Sequence, residues 1–401
     1  MLDTFQFAKD HDFSGKCCLI RVDFNVPMAD GKITDDTRIK RILPGLQRLM
    51  NEGARLVLLS HLGRPKGKIV PDLSLAPIAD YLGTLLEKPV GFLPDILADE
   101  AADTCANIQP GHCILAENLR FWPGEEANDD DFAKSLSKLG DVFIAEAFSA
   151  AHRAHASTQA ICHHLPSYVG DALGAELQAL SDVLVAPQKP VVAVVGGAKV
   201  STKLAVLENL VKKTDALILG GGMANSFLGA LGVDMKASLS ESDLFDTARG
   251  IMKTAKDHGC RLVIPTDGLA AKTFAANAPH RAIMNEALEE GEMMLDIGPA
   301  SVDAAQDVIK QAATILWNGP MGAFEIPPFD TATKAVSQMV ADRTKQGHCV
   351  SVAGGGDTIA ALNVAGVADD FSYLSLAGGA FLEWLEGKTL PGIAALQKTA
   401  S

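Results

Sequence analysis

Short apolar runs recur along the chain, and a longer segment with helical periodicity separates each run from the next. The runs are rich in Val, Ile and Leu and do not alternate with polar residues, which is typical of parallel strands that crossover helices bury on both faces. The predicted strands cover residues 17–24, 55–60, 112–116 and 141–146, and then 190–195, 215–219, 261–264, 314–318, 348–353 and 372–376. This pattern predicts an α/β fold with two doubly wound (Rossmann-like) parallel-sheet domains.

A connecting helix is predicted between the two sets of strands. The segment ALGAELQALSDVLVA (172–186) spaces its leucines along one helix face and has proline or glycine on both sides. We therefore expect an N-terminal domain over residues 1–171, an interdomain helix over 172–187 and a C-terminal domain over 188–386. We expect residues 387–401 to form a short helix that packs back on the first domain.

The charge balance excludes several classes of partner. The 401 residues include 35 Lys and Arg against 49 Asp and Glu, a formal charge of −14, so we expect neither a nucleic-acid nor a membrane partner. Since no secretory signal and no long apolar span is recognisable, we expect a soluble, cytoplasmic protein. The seven cysteines are scattered without metal or disulfide spacing and are expected to be buried, reduced thiols.

Polar and charged side chains follow the predicted strands of the first domain. These strand ends read RVDFNVP (21–27), SHLGRP (60–65), ENLRF (117–121) and EAFSAAHRAH (146–155). In parallel sheets, ligands bind beyond the carboxyl ends of the strands. Four arginines fall on or near these loops: Arg38, Arg64, Arg120 and Arg153. Each one alone is better explained by a solvated or ion-paired surface group, but together they predict a ligand with phosphate and carboxylate groups.

Two further sets of polar residues in this domain leave alternatives open. Asp23 and Asn25 lie two apart on an extended segment and can share a face that holds a substrate hydroxyl, but a turn before Pro27 explains the spacing equally well. Three histidines lack metal-ligand spacing, and an ordinary hydrogen-bonded structural role is the alternative for each: His61, His152 and His155.

The predicted strands of the second domain end in glycine-rich loops instead. These loops read VVGGAK (194–199), LGGGM (219–223), WNGPMGAFE (317–325), AGGGDT (353–358) and LAGGA (376–380). Glycine lets backbone N–H groups approach a ligand, and the N-terminus of a following helix favours phosphate. A tight turn explains any one such loop, but five at the strand ends of one sheet indicate a nucleotide crevice.

Three charged residues complete the predicted crevice. Lys199 and Lys203 lie four apart on the helix predicted to open at GGAK, so both ammonium groups can follow a phosphoryl group. Asp357 can hold Mg²⁺ through its carboxylate. The alternatives are a solvated lysine pair and an aspartate helix cap. The P-loop, protein-kinase and dinucleotide signatures are absent from the sequence, so phosphoryl transfer is predicted without those motifs.

The chain resembles the phosphoglycerate kinase family, in its bacterial type, over essentially its whole length. The resemblance is carried by RVDFNVP, HLGRP, ENLRF, AFSAAHRAHAST, GGAKVSTKL, GGGMANSFL, WNGPMGAFE, GGGDT and LEGKTLPG, in the family's order. It implies reversible transfer of the 1-phosphoryl group of 1,3-bisphosphoglycerate to Mg-ADP, giving 3-phosphoglycerate and ATP, in glycolysis and gluconeogenesis. It also implies a monomer and in-line transfer after hinge closure.

The resemblance also implies which residues bind each ligand. The implied substrate site consists of Asp23, Phe24, Asn25, Arg38, His61, Leu62, Gly63, Arg64, Arg120 and Arg153. The implied nucleotide site consists of Gly196, Gly197, Lys199, Lys203, Gly220, Gly221, Asn318, Glu325, Gly355, Gly356, Asp357 and Thr358. Within it, Glu325 serves the ribose and Asp357 holds Mg²⁺, and Arg38 and Lys203 are the implied catalytic residues. The helix N-termini at 356–358 and 378–380 are expected to supply backbone donors.

Some positions depart from the family pattern. Glu146 stands where Asp is usual, Ser149 where Gly is frequent, Thr202 where some members have Asp, and Leu376 with Ala377 where Thr-Gly is usual. We expect Ala377 to have a negative φ, because positive φ strains a side chain. A non-catalytic binder of phosphorylated metabolites and an NAD-dependent oxidoreductase are the alternative functions. Intact Arg38, Lys203, Glu325 and Asp357 favour the enzyme.

Overall fold

The structure is a computed structural model that describes residues 2–397. The described chain divides into two compact units. The first unit runs to Gln178 and takes in the chain again from Thr389, and the second runs from Ala179 to Lys388. The point of division lies inside a helix, Asp171–Leu184, whose first half forms ion pairs with arginines of the first unit.

The first unit is built on a six-stranded parallel sheet. Its strands are β1 (Cys17–Arg21), β2 (Met28–Ala29), β3 (Lys32–Ile33), β4 (Arg55–Leu59), β5 (Val90–Leu93), β6 (Cys113–Ala116), β7 (Val142–Ala145) and β8 (Ser167–Val169). Its helices are α1 (Thr37–Asn51), α2 (Ala76–Leu86), α3 (Ala101–Ala106), α4 (Pro123–Glu126), α5 (Asp130–Ser137) and the first half of α6 (Asp171–Leu184). The sheet order is β5-β6-β4-β1-β7-β8, and β2 and β3 form a small separate hairpin.

The second unit combines a parallel sheet with a smaller antiparallel one. Its strands are β9 (Val191–Val195), β10 (Ala216–Leu219), β11 (Arg261–Val263), β12 (Asp267–Ala271), β13 (His280–Met284), β14 (Met293–Ile297), β15 (Thr314–Asn318), β16 (Val350–Gly354) and β17 (Tyr373–Ser375). Its helices are α7 (Leu204–Leu210), α8 (Gly221–Ala230), α9 (Phe245–Asp257), α10 (Pro299–Ile309), α11 (Thr331–Lys345), α12 (Gly356–Ala365) and α13 (Gly379–Leu385). The parallel order is β11-β10-β9-β15-β16-β17, and the antiparallel order is β13-β12-β14.

The predicted α/β class with two parallel sheets is confirmed. Each of the ten predicted strands coincides with a strand of these sheets, because the central strands are buried along their length and therefore carry unbroken apolar runs. The prediction missed β5 and β8, which are only four and three residues long. It also missed the antiparallel sheet, in which β13 is mostly exposed and its sequence, HRAIM, mixes charged and apolar residues.

The chain returns to the first unit after the second unit ends. A short helix, α14 (Pro391–Ala395), lies against this unit, where the Gly392 N–H donates a 2.9 Å hydrogen bond to the Ala151 carbonyl. Leu390, Ile393 and Leu396 are buried around it. The apolar side chains of this segment therefore contribute to the core of the first unit.

The cysteines form no disulfides, and most of them are buried. All seven cysteines are free, and six of them are buried while Cys162 is half-buried. Burial raises the pKa of the Cys17 thiol to about 11, so this thiol stays protonated at neutral pH.

In the part of the chain that the structure describes, every helix is too short or too polar to cross a membrane.

Candidate functional site

The polar loops of the first unit gather at one edge of its parallel sheet. Asp23 and Asn25 follow β1, His61 and Arg64 follow β4, Arg120 follows β6 and Arg153 follows β7. These four strands are neighbours in the order β6-β4-β1-β7, and the carboxyl ends of parallel strands lie at the same edge. The fold therefore brings the predicted substrate residues of four separate sequence motifs into one region.

The Asp23 carboxylate organises the loop after β1. Its Oδ2 accepts a 2.8 Å hydrogen bond from Nη1 of Arg38, and its Oδ1 accepts one from the Asn25 N–H at 3.0 Å. Arg38 also donates to the Asn25 carbonyl at 3.1 Å. The Arg38 side chain keeps 34% of its surface exposed, so a ligand can reach the guanidinium that Asp23 holds.

The Asn25 side chain links two of the loops. Its Oδ1 accepts a 2.9 Å hydrogen bond from the N–H of Gly63, in the loop after β4. The side chains of Phe24 and Leu62 are buried in the core, so at these two positions only the backbone can contact a ligand. The Phe24 N–H donates to the Ser60 hydroxyl, which fixes the two loops further.

The arginines of this region differ in how much of the protein they contact. The buried Arg120 donates from Nη1 to the Gly63 carbonyl at 2.8 Å, and burial lowers its pKa. Arg153 lies half-buried with its Nε 3.3 Å from the His152 ring. Arg64 is exposed and has no polar partner among residues 2–397. The region therefore contains one guanidinium held by the protein, that of Arg120, and one that is free to move, that of Arg64.

Several polar residues of this region were missed by the sequence reasoning. They are Arg21, Glu125, Ser149 and Ser157, and each makes a hydrogen bond or ion contact to a predicted residue or to another member of this set. For Arg21 a signal existed, because an arginine ends an otherwise apolar, fully buried strand, CCLIR. Ser149 was noticed only as a departure from the family pattern, and Glu125 and Ser157 lie in short helical turns where the sequence carries no comparable signal.

The glycine-rich loops of the second unit lie at the carboxyl ends of β9, β10, β15, β16 and β17. Close contact between the loops themselves explains part of this glycine pattern. A Cβ at Gly196 would lie 1.9 Å from the Pro320 carbonyl oxygen, and one at Gly220 would lie 2.7 Å from the Met321 Cα. At Gly356, the first residue of α12, a Cβ would meet nothing within 4 Å, so the space beside this residue is open.

Lys203 lies across the ends of β9 and β15. Its Nζ donates to the Gly196 carbonyl at 2.7 Å and to the Asn318 carbonyl at 2.9 Å. Burial lowers the pKa of Lys203 to about 8, and the nearby Asp357 carboxylate acts in the opposite direction. The ammonium therefore links the two strand ends through their carbonyls, and the Asn318 carbonyl also accepts a 3.1 Å hydrogen bond from the Gly196 N–H.

The prediction that Lys199 and Lys203 share one helix face is wrong. Helix α7 begins at Leu204, and both lysines precede it in a stretch of bends and turns. The strand-end carbonyls bind the Lys203 ammonium, and Lys203 is the residue that directly precedes α7. Lys199 points outward and is exposed.

Two predicted nucleotide residues connect β15 to β16. The Asn318 side chain donates from Nδ2 to the Gly354 carbonyl at 2.7 Å, and the Thr358 hydroxyl accepts from the Gly319 N–H at 2.7 Å. Gly355, which precedes α12, has φ 100°, a conformation that strains other residues. These contacts hold the N-terminus of α12 in place beside the Asn318 loop.

A cavity of about 300 Å³ opens beside these loops. Four predicted residues line it: Gly197, Gly221, Glu325 and Asp357. Apolar side chains that the sequence reasoning missed complete its wall: Leu239, Phe274 and Met293. Phe274 is 59% exposed, which is unusual for an aromatic ring and leaves its face open to a ligand. The cavity combines an apolar wall with two carboxylates, as expected for a ligand with a flat ring and a polar tail.

Asp357 is suited to a cation that arrives with its ligand. Its carboxylate is exposed in the first turn of α12 and has no hydrogen-bond partner within the described chain. Residues 2–397 contain no group of three or more His, Cys, Asp or Glu side chains that could enclose a metal. Mg²⁺ is commonly held by one or two carboxylates together with substrate phosphates, and this single free carboxylate fits that pattern.

The backbone at the last of the glycine-rich loops agrees with the sequence prediction. Ala377 is not among the described non-glycine residues with positive φ, whereas the next residue, Gly378, has φ 55°. Helix α13 starts at Gly379. The turn into this helix therefore relies on Gly378, which lets an alanine occupy position 377 without strain.

Known proteins match the chain over nearly its full length. The family described as phosphoglycerate kinase matches residues 8–388. The phosphoglycerate kinase of Azorhizobium caulinodans is 53% identical over 397 residues, which is 99% of this chain and 100% of that protein. The enzyme of Sinorhizobium medicae is 54% identical over 396 residues, 98% of this chain and 99% of that protein.

Solved structures match as well. The phosphoglycerate kinase of Coxiella burnetii superposes with a TM-score of 0.92 at 43% identity, and that of Pyrococcus horikoshii with 0.77 at 29%. Each superposition covers 98% of both chains. Sequence, fold and strand-end loops agree in these comparisons, and this chain belongs to the phosphoglycerate kinase family.

Proposed function

We propose that the two units divide the phosphoglycerate kinase reaction between them. The arginine-rich edge of the first unit binds 3-phosphoglycerate or 1,3-bisphosphoglycerate, and the glycine-rich edge of the second binds ADP or ATP. The position of Lys203 carries this proposal, because a buried ammonium between two strand ends and beside the cavity is placed to meet phosphate.

The chain is a phosphoglycerate kinase, and the reaction moves a phosphoryl group between a carboxylate and a nucleotide. The attacking or leaving carboxylate is ionised at neutral pH, so no general base has to remove a proton. Catalysis then depends on positioning the two ligands and on neutralising the charge of the transferring group. Both tasks fall to cations and to backbone donors.

In the first unit, we assign the substrate to the loops after β1, β4, β6 and β7. Asp23 accepts a hydrogen bond from the substrate hydroxyl and positions Arg38. The 3-phosphate and the carboxyl end of the substrate are bound by Arg64, Arg120, Arg153 and His61. The exposed part of the Arg38 guanidinium contacts the transferring phosphoryl group. A planar guanidinium suits this task because it binds two oxygens at once.

In the second unit, we assign the adenine to the apolar wall of the cavity and the ribose to Glu325. The phosphates then lie toward the N-terminus of α12, where the open space beside Gly356 gives access to backbone N–H groups. Lys203 exchanges its strand-end carbonyls for phosphate oxygens when the nucleotide binds. The free Asp357 carboxylate would hold Mg²⁺, which neutralises phosphate charge when bound.

The remaining parts of the proposal concern the whole protein. Because different units hold the two ligands, we propose that transfer follows a closing motion that also excludes water. We further propose that the enzyme works in the cytoplasm as a monomer, as the family resemblance implies. The net charge of −14 supports the absence of nucleic-acid and membrane partners.

A coupled assay of ATP-dependent 1,3-bisphosphoglycerate formation tests the proposed roles. Arg38→Ala and Lys203→Ala are expected to lower kcat by roughly 10²- to 10³-fold, the range for loss of one charge-stabilising donor. Matched controls are Arg249→Ala and Lys253→Ala, which remove exposed side chains of α9 and should leave kcat unchanged. If Lys203→Ala raises only the KM for nucleotide, Lys203 binds the ground state and its catalytic role is wrong.

A further inference from the structure

Arg21 is a buried arginine behind the proposed substrate site. It is the last residue of β1 and is only 2% exposed. Its Nε donates to the Ser157 hydroxyl at 2.8 Å, its Nη1 donates to the Val22 carbonyl, and its Nη2 lies 3.0 Å from Nδ1 of His61. Each of its three side-chain nitrogens already contacts a partner within the unit, so its effect on the site passes through these partners.

Glu125 balances the charge of Arg21 through Ser157. The Glu125 carboxylate is fully buried and accepts hydrogen bonds from the Ser157 hydroxyl at 2.6 Å and from the Ser157 N–H at 3.0 Å. Burial raises the pKa of Glu125, and the positive charge of Arg21 lowers it. A continuous chain of contacts therefore runs from Glu125 through Ser157 and Arg21 to His61.

The contact with Arg21 determines where the His61 ring carries its proton. A guanidinium has donors only, so Nδ1 of His61 must accept the hydrogen bond from Nη2. A neutral imidazole has one N–H, and with Nδ1 as the acceptor that hydrogen lies on Nε2. The far side of the ring is therefore a hydrogen-bond donor.

The surroundings also keep the ring neutral. Burial, and next the charge of Arg21, lower the pKa of His61 well below its ordinary value. The other groups that act on the ring push in the same direction: Arg120, His155 and Arg38. Protonation of the ring would place an N–H at Nδ1, directly against the Arg21 guanidinium. Electrostatic repulsion between the two positive groups opposes this.

We propose that Arg21 is a positioning residue that fixes His61 as a neutral Nε2–H donor toward the phosphate-bearing substrate. This inference rests on the proposed function, in which His61 contacts 3-phosphoglycerate. Arg21 then supplies orientation, while the exposed arginines supply the charge that binds the anion. The role of Glu125 and Ser157 is to keep Arg21 charged and in place inside the unit.

Nuclear magnetic resonance of the full-length, wild-type protein tests the tautomer, and a variant at position 61 is needed only to assign the signals. Two-bond ¹H–¹⁵N correlations of the His61 ring, assigned by comparison with His61→Gln, are expected to show a protonated Nε2 and a bare Nδ1 from about pH 6 to about pH 8. A protonated Nδ1, or a ring that titrates in this range, would overturn the inference.

Calorimetric binding of 3-phosphoglycerate separates this inference from the proposed function. If the wild-type protein does not bind 3-phosphoglycerate, the proposed substrate site is wrong whatever the tautomer of His61. If it binds the ligand but His61 carries its proton on Nδ1, the site stands and the role of Arg21 is wrong.

A double-mutant cycle tests whether Arg21 acts through His61. Arg21→Met is expected to weaken 3-phosphoglycerate binding about tenfold, because the coupling between contacting buried residues is commonly of this size. The affinity for ADP should stay unchanged. Gln at position 61 keeps an amide donor near the Nε2 position, so in a His61→Gln background Arg21→Met should add less than about twofold. A full tenfold loss in both backgrounds would show that Arg21 acts independently of His61.

Two further variants guard against a general loss of stability. Arg55→Met is the control, because Arg55 begins the neighbouring strand β4 and donates to two backbone carbonyls at the opposite end of the sheet. It should leave 3-phosphoglycerate affinity unchanged. If Arg21→Met does not fold, Ser157→Ala replaces it in the cycle, since it breaks the link to Glu125 and retains the guanidinium. Unaltered binding and an unaltered tautomer signal in Ser157→Ala would contradict the proposed link.

Discussion

The Ser149 hydroxyl donates a hydrogen bond to Oδ2 of Asp23. The same oxygen accepts the hydrogen bond from Arg38, so two donors share one carboxylate oxygen. In the proposed reaction Arg38 moves onto the ligand, and Ser149 then remains as the donor to Oδ2 while the Asn25 N–H still donates to Oδ1. This matters because a partly buried acceptor without a partner costs free energy.

We predict that Ser149→Ala slows the reaction. Without the hydroxyl, Arg38 becomes the main side-chain donor to Asp23 and is harder to move onto the phosphoryl group. We expect kcat to fall about three- to tenfold, which corresponds to one partly exposed hydrogen bond to a charged group. Steady-state kinetics measures this, with Ser149→Thr expected to restore the rate and Ser135→Ala, on the exposed face of α5, as control. An unchanged kcat in Ser149→Ala would contradict the shared-oxygen argument.

We predict that nucleotide affinity declines above about pH 8 because of Lys203. The pKa of Lys203 in the free protein is about 8, and bound phosphates favour the ammonium, so the bound pKa is higher. Below pH 8 the ammonium is charged in both states and affinity is constant. Above it, binding must take up a proton, and affinity falls by up to tenfold per pH unit.

Isothermal titration calorimetry of ADP at pH 7 and pH 9, in buffers of different ionisation enthalpy, measures this proton uptake. Lys203→Arg is the matched control, since arginine stays charged throughout this range and should show no uptake. Equal proton uptake in both proteins would assign the effect to another group.

We predict that Asp357→Asn removes the contribution of Mg²⁺ to nucleotide binding. The exposed Asp357 carboxylate is the proposed protein ligand of the ion. The affinity for ADP measured without metal should stay the same, and the gain on adding Mg²⁺ should shrink. Asp369→Asn, which also replaces an exposed aspartate of the second unit, should keep the full gain. An undiminished gain in Asp357→Asn would show that the nucleotide alone holds the ion.

We predict that Glu146 makes the stability of the first unit depend on pH. The buried Glu146 carboxylate accepts hydrogen bonds from the N–H groups of Asp171, Ala172 and Leu173 and so caps α6. Burial raises its pKa to about 7. The pKa of Glu146 is higher in the folded protein than in the unfolded chain. Its contribution to the free energy of unfolding is therefore fully present below about pH 4.5 and is lost as pH rises to about 7.

Denaturant unfolding of wild type and Glu146→Gln at pH 5 and pH 8 measures this dependence. The free energy of unfolding of wild type relative to Glu146→Gln should fall by up to about 3 kcal/mol between these values. Parallel changes in both proteins would rule out Glu146 as the source.

The strands, and the sheet edges where the polar and glycine-rich loops gather, could be predicted because burial leaves a direct trace in the sequence. A strand such as β9, VVAVV, is buried at every position and therefore reads as a continuous apolar run. The sheet edge then follows from the rule that ligands bind beyond the carboxyl ends of parallel strands. Motif order was enough to name the family.

Side-chain partners could not be predicted in the same way. The spacing of Lys199 and Lys203 fits a helix, but the carbonyls of Gly196 and Asn318 hold the Lys203 ammonium, and Asn318 is 115 residues away along the chain. The contact between Glu146 and α6 likewise needs Gly170, where a Cβ would lie 2.1 Å from the Glu146 Cδ. Such partners appear only when the strands are placed beside one another.

The position of α14 has a consequence for synthesis on the ribosome. The Ala151 carbonyl and the buried surface around it receive Leu390, Gly392 and Ile393 only after every residue of the second unit has been made. Synthesis of the second unit is therefore complete before that of the first unit, although most of the first unit comes earlier in the chain. Until then the first unit has an uncovered apolar patch, and surface of this kind is prone to aggregation while it stays exposed.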